Sequence, residues 1–204
     1  MKKISSHLVI SAVLLASASM AQAQFGKFSN PLASNSSGAS AEQIVSKYVG
    51  GAKSVMQADS KMLDAFGLKE EAAKAALQAT NLTQGATKDN LESAEKVQTE
   101  SSKALEEKLN GKKVSMDAES KKLFTAGMQD LGSGLIQYIG LSKDAAGFKP
   151  SMGSLGSANS AVYVAKSLPG SIKNLASTLK MAIEFSKAND IPVPKEANDA
   201  TAML

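Results

Sequence analysis

The chain has 204 residues and 23 basic residues, all lysine, with no cysteine, no tryptophan and a single histidine, His7. Beyond residue 23 it therefore lacks imidazole, thiolate and guanidinium, which removes the usual general base, the soft metal ligand and the bidentate anion clamp. The formal net charge of +4 falls to +2 once Lys2 and Lys3 are set aside, and without arginine or a dense basic patch nucleic acid is not an expected partner.

Residues 1–23 read as a cleaved export signal. Met1-Lys2-Lys3 is a positive start, Leu8 to Ala16 an apolar run, and Ala21-Gln22-Ala23 a small-x-small cleavage site that leaves Gln24 as the new N-terminus. The apolar run is too short to span a bilayer, which needs about 20 residues. The signal has a bacterial character, so the expected destination is the periplasm or beyond. No cysteine follows it, which excludes a lipid-modified N-terminus, and no disulfide can support the mature fold. Later segments are not apolar enough to cross a membrane. Leu131 to Leu141, the most apolar of them, suits a buried helix, and the mature chain of about 180 residues is expected to be soluble with one core.

Residues 24–39 form a flexible tether rich in Ser, Asn and Gly, with Phe25 and Phe28 near its start. A helix then opens at Ser40, with Gln43 completing a capping box. Its apolar face runs through Val45, Tyr48, Ala52, Val55, Met62 and Phe66 to a stop at Gly67. Gly50-Gly51 inside it costs about 1 kcal/mol per glycine relative to alanine, which a close helix crossing can offset. Lys69 to Leu82 is an alanine-rich second helix. Asp89 and Glu92 are expected to open a third, with Leu91, Ala94, Val97, Leu105 and Leu109 on one side and charge elsewhere, so it should lie outside.

Ser115 is the expected cap of a fourth helix carrying Leu123, Phe124, Met128, Leu131, Leu135, Ile136 and Ile139. It is apolar nearly all round after Asp130, the pattern of a central helix. Residues 142–157, with Pro150 and several glycines, read as a loop. A fifth helix covers Ala158 to Ser167, and Pro169 starts a sixth that runs to about Ala188. Ile191-Pro192-Val193-Pro194 is extended, and the last ten residues read as an Ala-rich tail. Sustained period-two alternation is absent. The predicted fold is all-α, an irregular bundle of about five or six helices over residues 40–190 without β-sheet.

Catalytic and cofactor sites are not expected. Carboxylate metal centres in bundles use Glu-x-x-His pairs, which the mature chain cannot supply, and its methionines are scattered rather than clustered. Two Ser-x-x-Lys pairs, Ser93/Lys96 and Ser177/Lys180, are about what chance placement gives, and no companion motif accompanies them. One regular pattern stands out: Lys166, Lys173, Lys180 and Lys187 recur every seven residues beside an apolar seam. Such a row is either the solvated face of an amphipathic helix or a basic stripe facing an acidic partner or anionic head groups.

The functional expectation is an exported protein that binds rather than catalyses, partnered by an envelope protein. A second reading is a carrier for an apolar small molecule or lipid. Its cavity would lie between the fourth and sixth helices, lined by Leu131, Gly134, Leu135, Ile139, Leu175 and Leu179. A third reading, a hydrolase using carboxylates or a Ser-Lys pair, is disfavoured by the missing histidine.

Overall fold

The computed structural model describes residues 39–110, 114–148 and 155–204, with side chains from residue 157 onward in the last segment. The expected signal, nearly all of the tether, and residues 149–154 of the expected 142–157 loop lie outside the described residues; of the rest of that loop, residues 142–146 and 155–157 are helical instead. Within them the protein is all-α, with six helices and no strand. The helices are α1 (Ala41–Ala65), α2 (Lys69–Asn81), α3 (Lys88–Leu109), α4 (Ala118–Ala146), α5 (Leu155–Ala188) and α6 (Lys195–Ala202).

The start and stop of α1 follow from local chemistry. The Ser40 hydroxyl accepts from the Gln43 amide at 3.2 Å, and the Gln43 side chain accepts from the Ser40 amide at 2.9 Å. At the other end Gly67 takes φ +76°, a conformation glycine adopts without steric penalty. The Leu68 amide then reaches the Leu63 carbonyl and the Gly67 amide the Asp64 carbonyl, closing a Schellman motif.

Two other caps differ from expectation. Thr87, not Asp89, opens α3, exchanging hydrogen bonds with Asn90. The residues flanking this box, Ala86 and Leu91, are both buried, so the entry is fixed where apolar groups can staple it. Asp117, not Ser115, caps α4, accepting from the Ser120 amide at 2.7 Å. A carboxylate at a helix N-terminus makes a charge-assisted bond that a serine hydroxyl cannot match. That backbone hydrogen bond also holds the Asp117 carboxyl below its ordinary range.

The centre of the bundle is shared. Besides α4, α1 is central: it packs against α2, α3, α4 and α5 and buries residues along its whole length. The α1 and α4 helices run antiparallel, since Gly51 lies by Tyr138, Val55 by Gly134 and Ala58 by Gly127. A Cβ on Gly51 would come within 2.7 Å of the Tyr138 ring, which is the close crossing that compensates the glycine pair. Tyr48 and Tyr138 stack at 5.0 Å on this seam. Phe66, Phe124 and Phe185 pack together elsewhere in the core, with centroids 5.3 to 5.5 Å apart.

The two expected helices around Pro169 are one continuous helix, α5. Proline in a helix interior costs about 3 kcal/mol through its missing N–H and its clash with the preceding turn. Here the ring is exposed, while Val164, Leu168, Ser171 and Leu175 around it are buried. Tertiary packing on both sides of the proline holds the helix together. The expected C-terminal tail is also corrected. After the extended residues 191–194 the chain turns into α6, whose Ala197 and Ala200 are fully buried. They seat on α4 at Gly132, where a Cβ would lie 2.5 Å from the Glu196 backbone.

Candidate interaction surface

Continuity of α5 puts Lys166, Lys173, Lys180 and Lys187 on a single helix. At 1.5 Å rise per residue they stand about 10.5 Å apart and cover about 31 Å. Seven residues fall about 20° short of two full turns, so the row winds slowly around the helix rather than dispersing. All four are exposed, and none joins any of the four ion pairs among the described residues, which are Lys47–Asp144, Lys61–Asp130, Lys88–Glu92 and Lys195–Asp199. The other exposed residues along this side are Asn159, Pro169, Gly170, Asn174, Ser177, Glu184 and Ala188. Glu184 is the only acid among them. The result is a row of four exposed lysines along α5, none of them in an ion pair.

The opposite side of α5 is spent on the core. Val164, Leu168, Leu175, Leu179 and Ala182 are at most 1 % exposed, and among the described residues none of the exposed large apolar side chains, Leu77, Val114, Met203 and Leu204, belongs to α5.

The residues expected to line a ligand cavity pack as core instead. Leu131, Leu135, Leu175 and Leu179 are fully buried in one apolar cluster, and Ile139 is half-buried against it. Gly134 does not face α5. Its Cβ position lies 2.7 Å from Val55 Cγ2 and 3.1 Å from the Gly51 carbonyl, so α1 occupies that wall. Gly132 is filled by α6 in the same way. The small residues serve helix contact. Surface grooves among the described residues lie elsewhere, including one of about 550 Å³ between α1 and α2, lined by Lys53, Gln57, Ser60, Lys61, Ala76, Ala79 and Thr80, and one of about 320 Å³ beside Glu42, Val45, Thr87 and Ser160.

Ser93, Lys96, Ser177 and Lys180 are all exposed rather than set in a cleft. Among the described residues no group of three or more acidic side chains is placed to hold a metal ion, and no helix is long and apolar enough to cross a membrane.

One feature was not singled out from the sequence. Asp59 is fully buried in α1, and neither of its side-chain oxygens has a hydrogen-bond partner; Tyr138 is likewise fully buried, stacked on Tyr48. Burial raises the Asp59 carboxyl well above its ordinary range. The same cause, followed by the neighbouring Tyr48, raises the Tyr138 phenol. The signal was present in the helical spacing: the residues three and four away, Val55, Met56, Met62 and Leu63, are all apolar, which places Asp59 on the inward face. Near the same seam, the half-buried Tyr163 hydroxyl of α5 donates to the Glu95 carboxylate of α3. No protein-family model matches the chain, and neither a curated protein nor a solved structure matches it.

Proposed function

We propose that the protein is exported through its N-terminal signal and works in the periplasm as a binding protein, docking the lysine face of α5 on an acidic surface of an envelope protein. The observation that carries this reading is the strip itself: four exposed lysines on one 34-residue helix, without an ion pair among them. A basic strip of this kind raises the local concentration of an acidic partner and steers its approach.

A protein surface is favoured over lipid. Helices that lie in a membrane interface bury an apolar face among the acyl chains, and the apolar face of α5 is already committed to the core. The carrier reading has no support from the glycines, since α1 and α6 occupy the space they leave.

Two experiments test the two halves of the proposal. N-terminal sequencing of the exported protein should return Gln24; Met1 would contradict export by cleavage. Replacing Lys166, Lys173, Lys180 and Lys187 with glutamate should leave helicity and melting temperature nearly unchanged, because exposed unpaired charges contribute little to stability. The same variant should lose at least about tenfold in partner capture by cross-linking in intact cells, as expected when complementary charges become like charges. Capture that survives the reversal would show that the strip is only a solvated face. Binding of the wild type to anionic vesicles but to no protein would replace the envelope protein with lipid.

A further inference from the structure

Among the described residues Asp59 is the one acid fully enclosed by the core, at 0 % exposure. What surrounds it offers no compensating charge. On α1 itself, Lys53 and Lys61 are half-exposed, Asp64 is exposed, and Lys61 is engaged with Asp130 at 2.6 Å. The α2 helix buries only Ala72, Ala75 and Ala79. From α3 the nearest candidates are the half-buried acids Glu95 and Glu106, held by Tyr163 and Thr178 of α5. From α4 the buried titratable group is Tyr138, and α5 adds Tyr163, which is half-buried. No lysine is buried among the described residues.

We infer that Asp59 is a proton-operated latch: the bundle closes around its neutral acid form, and loss of the proton favours opening along the seam between α1 and α4. An isolated carboxylate in apolar surroundings is so costly that the group keeps its proton instead. The Tyr138 ring lies on this seam against Gly51, close enough to Asp59 for a carboxylate there to raise its phenol. Water admitted there would solvate the ionised carboxylate, which the closed core cannot do. Burial alone accounts for the raised carboxyl, with no neighbouring charge contributing.

The sign follows from linkage. The unfolded chain gives up this proton near pH 4, while the folded chain retains it. Stability is therefore complete below that range and is lost as pH rises, by up to about tenfold in the folding equilibrium constant per pH unit, until the folded-state group itself ionises. A bundle with this latch is tightest in mildly acidic surroundings.

The test compares the full chain with Asp59→Asn and Asp59→Leu in urea denaturation at pH 4.5, 6.0 and 7.5. Relative to either variant, the wild type should lose at least about tenfold in its folding equilibrium constant between the first pH and the last. Hydrogen exchange should show amides of α1 losing protection at high pH in the wild type and keeping it in Asp59→Asn. Carbon NMR of the wild-type Asp59 carboxyl needs no variant to fold, and should give a midpoint well above those of the exposed carboxylates. An Asp59 midpoint in the ordinary carboxylate range, or a wild-type-to-variant difference that stays constant with pH, would overturn the latch. Loss of protection spread evenly over all helices would overturn opening along α1.

Discussion

Leu135→Asp unfolds the bundle, or lowers its melting temperature by roughly 10–15 °C. Leu135 is fully buried on α4, the helix that packs against α1, α5 and α6. Truncating a buried leucine typically costs about 2–5 kcal/mol, and the introduced carboxylate adds its own desolvation. No cation is buried among the described residues to receive it. The combined loss, roughly 4 kcal/mol or more, is a large part of the 5–15 kcal/mol that ordinarily holds a domain folded. Asp59 is already an interior acid without a partner, so the core has little tolerance for a second. Circular dichroism melting decides the matter. A shift of only a degree or two would mean that α4 is not central.

Gly134→Leu separates α1 from α4 and destabilises the fold by about 3 kcal/mol or more, at the upper end of overpacking effects. The physical reason is what the new atoms meet. A Cβ at this position already lies 3.1 Å from the Gly51 carbonyl and 3.2 Å from the Val55 amide. Those are backbone atoms of a helix, which cannot rotate aside as a side-chain tip can. The internal control is Gly140→Ala on the same helix, where a Cβ meets nothing within 4 Å. That change should stabilise by about 0.5–1 kcal/mol through the lower conformational entropy of the unfolded chain. Urea midpoints for the two variants should therefore move in opposite directions. If Gly134→Leu leaves the midpoint unchanged, there is free space at the seam and the carrier reading regains its footing.

Much of the fold was legible because it is written locally. The Ser40–Gln43 box, the Gly67 stop and the apolar spacing of α1 each depend on residues within a turn of one another. What was misread depends on distant packing. Pro169 reads as a helix start because of its own geometry. It lies inside α5 because Leu168, Ser171 and Leu175 are clamped by the rest of the bundle. The α6 helix is eight residues long and mostly polar, too short to be stable alone; it exists because Ala197 and Ala200 seat against Gly132, some 65 residues earlier in the chain. Gly134 was read as cavity wall because glycine suits a void and a tight crossing equally well, and only the position of α1 separates the two. The lysine row was visible as a seven-residue repeat, but its continuity required knowing that Pro169 does not interrupt it.

The proposed binding role of the α5 lysine face is tested most directly by site-specific photo-cross-linking in intact cells, with the photoreactive residue at Ser177. This position is exposed between Lys173 and Lys180, whereas Ala73, exposed on α2, serves as the reference; α2 packs against α1 and α3 and not against α5. The proposed function predicts a discrete protein adduct from position 177 that is absent from position 73 and is lost when the four lysines are reversed to glutamate. Adducts of equal yield from both positions, or an adduct from 177 that survives the charge reversal, would contradict it.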